Sequence, residues 1–151
     1  MAKPDVGDPA PEFELPGTGD KMYALADYAG TGVILTFYPG DFTPVCTKQF
    51  CSYRDDADRI DGLGMPMLGI SPQSVSSHER FMQEKSLNVP LLADEDKTVA
   101  GDYGVLFPGG FVRRSVFVVD GDLVIRHRDV KLLGGSYQSV DDIEQALAGL
   151  R

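Results

Sequence analysis

At 151 residues, with 42% hydrophobic and 25% charged side chains, the chain is long enough to bury a sizeable core, and residues 1–151 read as a single domain. Its 23 acidic and 14 basic residues give a formal charge of -9, which argues against a surface built to hold nucleic-acid phosphates or an anionic membrane. No run approaches the roughly 18 apolar residues of a membrane span, and Met1–Asp8 has no apolar core for a secretory signal. The expected setting is therefore the cytoplasm, where a cysteine pair stays reduced and serves catalysis or metal binding.

The elements alternate along the chain. After the stiff lead-in Asp8-Pro9-Ala10-Pro11, Phe13 to Leu15 is expected as a short edge strand. Val33 to Tyr38 is an unbroken apolar run suited to a strand covered on both faces, and Pro39-Gly40 ends it. A helix is predicted from about Pro44 to Ile60, stopped by Gly62-Leu63-Gly64. Met65 to Ile70 reads as the next strand, with Met67, Leu68 and Ile70 as core residues, and Ser74 to Lys85 as a largely polar helix carrying Val75, Phe81 and Met82.

Val89 to Leu92 reads as a short strand, and Lys97 to Tyr103 as a short helix capped by Asp94 or Asp96. Ser115 to Val119 is the second strong buried-strand signal, turning at Asp120-Gly121-Asp122 into Leu123–Arg128. Val140, Ile143, Leu147 and Leu150 fall at helical spacing after Ser139, which suits an N-cap. The order predicts an α/β fold with a central mixed β-sheet flanked by helices, parallel in its first part and antiparallel at the hairpin.

The only two cysteines lie in Pro39-Gly40-Asp41-Phe42-Thr43-Pro44-Val45-Cys46-Thr47-Lys48-Gln49-Phe50-Cys51. With Thr43 as N-cap, Pro44 is the first helical residue, where its missing N–H has no cost, and the Thr43 oxygen is expected to accept from the Cys46 N–H. Cys46 then sits in the first turn, at the positive end of the helix dipole, a position that favours a thiolate. The segment also follows a central strand at its C-terminal end, where open α/β sheets form their sites.

Cys51 is harder to place. Five helical residues separate two Cα atoms by roughly 8.6 Å, beyond the ~7 Å limit for a disulfide. If the two sulfurs pair, the segment between them must unwind. Otherwise Cys51 is a small apolar core residue.

The spacing Pro39-x-x-x-Thr43-x-x-Cys46 resembles the active-site signature of peroxiredoxins, and the second cysteine five residues on is similar to the PrxQ, or bacterioferritin comigratory protein, branch. The likeness extends through Gly7-Asp8-Pro9-Ala10-Pro11-x-Phe13, Val33–Tyr38, Gly69-Ile70-Ser71 and Arg114-x-x-Phe117-x-x-Asp120. The resemblance implies a thioredoxin-like fold with an N-terminal extension, and thiol-dependent reduction of hydrogen peroxide and organic hydroperoxides without cofactor or metal. It implies Cys46 as peroxidatic thiol, Cys51 as resolving thiol, Thr43 as a hydrogen-bonding partner of the peroxide and Pro39 as its shield. Arg114 would hold the thiolate and polarise the peroxide. Thioredoxin or a similar dithiol would recycle the disulfide, and members of the branch are often monomers.

Arg113 competes with Arg114, but the spacing to Phe117 and Asp120 favours Arg114 and leaves Arg113 as a solvated charge. Gln49 stands where the resembled family often has Glu, so it accepts a hydrogen bond without bringing charge. His78, in a polar helix, and His127, between two arginines, read as solvated surface, and Cys-x4-Cys alone supplies too few ligands for a metal. Gly134-Gly135 and Pro108-Gly109-Gly110 read as turns, with Pro108–Phe111 as a mobile loop near the site. Asp55-Asp56 and Asp141-Asp142 read as helix faces or caps. Two other functions use the same residues: a thioredoxin-like protein-disulfide reductase, which would more usually carry Cys-x-x-Cys, and a thiol redox sensor.

Overall fold

A computed structural model describes residues 4–131 and 137–149. Fourteen regular elements appear in it: β1 (Glu14–Gly17), β2 (Lys21–Ala24), β3 (Val33–Phe37), α1 (Pro44–Asp55), α2 (Ala57–Asp61), β4 (Met67–Ser71), α3 (Val75–Lys85), β5 (Leu91–Ala93), α4 (Thr98–Asp102), β6 (Leu106–Phe107), β7 (Phe111–Val112), β8 (Ser115–Val119), β9 (Ile125–Val130) and α5 (Val140–Ala148). A 3-10 turn, Leu25–Tyr28, follows β2. Seven strands form one sheet in the order β2-β1-β5-β4-β3-β8-β9, while β6 and β7 pair separately.

The sheet is mixed as expected. β3, β4 and β5 run parallel, and β8 runs antiparallel to both β3 and β9. All five residues of β3 are buried, because the sheet is covered on both faces. Val33, Leu35 and Phe37 join one core cluster with Tyr103 of the segment after α4 and the N-terminal strands. Ile34 joins the other, with Phe50 and Tyr53 of α1, Phe81 of α3 and Ile143 and Leu147 of α5. This alternation within one strand carries the α/β layering.

The structure corrects four details. The first strand is Glu14–Gly17, and it is interior to the sheet, because the unexpected β2 pairs outside it through Leu15↔Tyr23. The long helix divides at Asp56 (φ -105, ψ 33), which lets Ile60 of α2 bury while Arg59 reaches Asp141 and Glu144 of α5. Pro108–Phe111 is the turn and first residue of a small hairpin, with Phe107 opposite Phe111. The short helix α4 has Lys97 as its cap residue without a side-chain bond; Asp94 and Asp96 accept from the Val99, Ala100 and Thr98 N–H groups instead. Ser139 caps α5 as read, with a reciprocal bond from Asp142. Leu150 and Gly134-Gly135 lie outside the described residues.

Candidate active site

The sheet register brings the candidate residues together. Phe37 lies opposite Ser115 across the β3–β8 pair, so Arg114, one residue before Ser115, stands across from Tyr38 at the mouth of the 39–43 loop. Phe37 is also level with Ile70, and Ile70 with Leu92, so the C-terminal ends of the three parallel strands gather at this loop. The loop turns at Phe42, whose φ of 62 is left-handed, and enters α1 with Pro44 in its first turn.

Cys46 is fully buried, and its Sγ accepts a hydrogen bond from Arg114 Nη1 at 2.7 Å. The same Nη1 lies 3.3 Å from Gln49 Oε1. Gln49 then donates through Nε2 to the Tyr53 hydroxyl at 3.0 Å, and that hydroxyl donates to the Gln138 carbonyl at 2.7 Å. Burial pushes the Tyr53 phenol well above its ordinary range, so it remains a donor. A chain of hydrogen bonds thus runs from the sulfur through Arg114 and along one face of α1 at the i, i+3 and i, i+4 spacings.

Arg114 is 5% exposed, whereas Arg113 is half-buried with its guanidinium stacked 4.6 Å from the Phe107 ring. Arg114 is therefore the residue at the sulfur, and Arg113 is a stacked cation rather than a freely solvated one. Gln49 Oε1 faces the same guanidinium as an acceptor.

Thr43 is the N-cap residue, but its side chain does not cap α1. Its hydroxyl donates to the Gly40 carbonyl at 3.2 Å, and its own carbonyl accepts from the Thr47 N–H. The expected bond to the Cys46 N–H is absent, because the Gly40 carbonyl lies within reach inside the same tight loop. The first-turn N–H groups are thereby spared a capping side chain. Pro39, the first residue of this loop, is half-buried.

Cys51 is half-buried on α1 and packs against the same core cluster as Cys46. Both thiols are free, and one unbroken helix holds them both. Between them Phe50 is 1% exposed, with its ring 4.7 Å from Tyr38 and near Tyr53 and Phe81. It lies on β4 at Gly69, where a Cβ would stand 3.1 Å from the Phe50 Cζ.

Two further groups belong to this region although their sequence context pointed elsewhere. His78 is not on a solvated face; it is fully buried, with Nδ1 2.8 Å from Asp41 Oδ2 and Nε2 2.9 Å from the Leu92 carbonyl. Asp41 also accepts from the Tyr38 hydroxyl and from Ser77 Oγ, each at 2.7 Å. The signal for His78 was its position three residues before Phe81, on the inward face of α3. His127 is half-buried and lies 3.1 Å from Gln138 Oε1.

The arrangement is a buried cation aimed at a buried thiol in the first turn of a helix, with a second thiol on the same helix. A family model described as the AhpC/TSA family matches residues 6–128. The chain is 40% identical over 130 residues to "Putative peroxiredoxin bcp" of Coxiella burnetii (strain RSA 493 / Nine Mile phase I), covering 80% of this chain and 85% of that one. It is 37% identical over 129 residues to "Peroxiredoxin Bcp" of Escherichia coli (strain K12), covering 81% and 83%. The crystal structure of peroxidoxin BcpB from Mycobacterium tuberculosis superposes with a TM-score of 0.84 at 30% identity, covering 98% of this chain and 99% of that one. With the thiol helix and its arginine set in the same thioredoxin-like sheet, the chain belongs to the AhpC/TSA family of peroxiredoxins.

Proposed function

We propose that this protein is a thiol-dependent peroxidase in which Cys46 reduces hydrogen peroxide and organic hydroperoxides and Cys51 resolves the product. The observation that carries the reading is the 2.7 Å bond from Arg114 Nη1 to Cys46 Sγ, both groups buried. A guanidinium N–H aimed at sulfur is complementary to the thiolate, which is the nucleophile. The sulfur attacks the distal peroxide oxygen; the O–O bond breaks, an S–O bond forms with the hydroxyl, and the leaving oxygen takes up the proton released when the thiolate formed, departing as water or an alcohol. Arg114 and the Thr43 hydroxyl donate to the peroxide oxygens, the latter by turning from Gly40, and Pro39 walls the pocket against water.

The sulfenic acid then meets the Cys51 thiol. An S–S bond forms and one water leaves. Because the two Cα atoms in an intact helix are roughly 8.6 Å apart, α1 unwinds between the thiols for this step. An external dithiol, which we take to be thioredoxin, restores both thiols by exchange. The sulfur carries the electrons, so no cofactor is required. Both thiols lie on one helix, so resolution needs no second chain; on this reading residues 1–151 act as one domain and as a monomer, in the cytosol where such a reductant operates.

The test is a steady-state peroxidase assay with a thioredoxin system. Cys46→Ser should abolish turnover, while Cys51→Ser should lose thioredoxin-linked turnover and keep one oxidation per molecule. Full turnover by Cys46→Ser would overturn the reading. Reduction of insulin disulfides without peroxide consumption would mark a disulfide reductase, and one oxidation with slow recycling would mark a sensor.

A further inference from the structure

We propose that His78 and Asp41 are positioning residues that hold the 39–43 loop in place while α1 comes apart beside it. The inference rests on the peroxidase reading above. Asp41 lies two residues from Pro39 and two from Thr43, so whatever fixes its carboxylate fixes the loop half of the peroxide site. That carboxylate is fully buried, and a buried charge needs hydrogen-bond donors.

It has three. Tyr38, the residue after β3, donates to Oδ1, and Ser77 of α3 donates to Oδ2. His78 Nδ1 lies 2.8 Å and 3.0 Å from the two oxygens. The other ring nitrogen faces the Leu92 carbonyl in β5 at 2.9 Å. A carbonyl can only accept, so Nε2 carries a hydrogen, and a proton between Nδ1 and Asp41 completes the charge-assisted link. The loop is thereby tied to β3, α3 and β5.

None of these bonds reaches α1. The helix meets the network through the apolar contact of Phe50 with the Tyr38 ring, 4.7 Å between centroids. Unwinding residues 46–51 removes that contact and the bond from the Thr47 N–H to the Thr43 carbonyl, but leaves every bond of the Asp41 carboxylate intact. The site divides accordingly: Pro39 and Thr43 stay fixed through the cycle, and Cys46 and Gln49 leave and return to them. A loop without this anchor would present Thr43 imprecisely, and a displacement of about 1 Å at a reacting centre costs about 100-fold.

The experiment separates the two chemical steps. Oxidation of Cys46 by hydrogen peroxide is timed by competition with a reporter peroxidase, and disulfide formation by acid quench and mass spectrometry. His78→Ala should slow oxidation by about 10- to 100-fold and leave disulfide formation within about twofold. His78→Asn, whose amide can donate to Asp41 in place of Nδ1, should restore oxidation to within about threefold of wild type. If His78→Ala does not fold, Ser77→Ala decides, removing one donor for a loss of about threefold in oxidation alone.

Wild-type oxidation rates in the folded variant, equal slowing of both steps, or failure of Asn to rescue would overturn the proposal. Amide exchange gives a readout independent of peroxide. In wild type oxidised with diamide, the Tyr38 amide at the entry to the loop, bonded to the Ile70 carbonyl, should keep its protection while 46–51 lose theirs; loss at both overturns the anchor. A wild type that consumes no peroxide, yet keeps the Tyr38 amide protected, defeats the proposed function and not the anchor.

Discussion

Arg114→Ala removes the guanidinium that donates to the Cys46 sulfur. The lost contact is a buried N–H donor 2.7 Å from Sγ. Hydrogen bonds to a charged partner are worth about 1.5–3 kcal/mol net, and each 1.36 kcal/mol is tenfold in rate, so oxidation of Cys46 should slow by about 10- to 150-fold. The bare Coulomb energy at this distance is larger, but both groups have already paid desolvation, and the net figure is the one that governs. Arg114→Lys should fall between alanine and wild type. It keeps a positive charge but lacks the planar group that serves Cys46 and Gln49 from one nitrogen.

The chain contains no tryptophan, so the reaction gives no indole fluorescence signal. The rate is better read by competition for hydrogen peroxide with a reporter peroxidase. Circular dichroism and urea titration of each variant separate a lost contact from a lost fold. Oxidation of folded Arg114→Ala at the wild-type rate would show that the helix terminus alone activates the thiol, and the argument from Arg114 would fail.

Three other outcomes are expected. Phe50→Ala opens a cavity under α1 and should cost about 3–5 kcal/mol in urea unfolding, with residues 46–51 exchanging amide protons faster in the reduced protein. Tyr53→Phe leaves Gln49 Nε2 and the Gln138 carbonyl without their shared hydroxyl and should cost about 1–3 kcal/mol; an unchanged denaturation midpoint would count against the hydrogen-bond chain. For Asp94, burial raises the carboxyl above its ordinary range, although the Ala100 and Val99 N–H groups pull it down. Its contribution is therefore fully present below the ordinary carboxylate value and is lost as pH rises through the raised one. The destabilisation by Asp94→Asn should accordingly be largest at acid pH and shrink toward neutrality in urea titrations; growth of that difference with pH would reverse the sign.

The strands legible in the sequence are those whose burial on both faces leaves a continuous apolar run, β3 and β8, and these two position the loop and Arg114. The start of α1 was legible because Thr43-Pro44 marks a helix entry whatever the threonine hydroxyl does. That hydroxyl was misjudged because its choice between the Cys46 N–H and the Gly40 carbonyl depends on loop geometry, not on residue type. β2 escaped notice since Lys21–Ala24 has no alternation of its own and exists by pairing with Leu15 and its neighbours. The division at Asp56 has no glycine or proline to announce it. His78 reads as polar until Asp41, 37 residues earlier, is brought to its ring.

The two ends of α1 are held by different means, and the proposed cycle depends on the difference. Beyond Cys51, Tyr53 donates to the Gln138 carbonyl and Arg54 Nη1 donates to the Lys85 carbonyl at 2.7 Å, so the last turns are tied to two other segments. At the first turn the polar tie is the bond from Arg114 to the Cys46 sulfur. Oxidation changes that tie specifically. A thiolate meets the guanidinium as ion to ion, whereas a neutral sulfenic acid offers it only an uncharged acceptor, so the tie weakens. The chemistry of the first step therefore loosens the part of the helix that the second step must unwind, while the anchors at residues 53 and 54 keep the unwinding local. In the proposed cycle the arginine that speeds oxidation also restrains resolution, so Arg114→Ala should slow the first step and hasten the second, a pair of opposite changes that a general loss of stability does not produce.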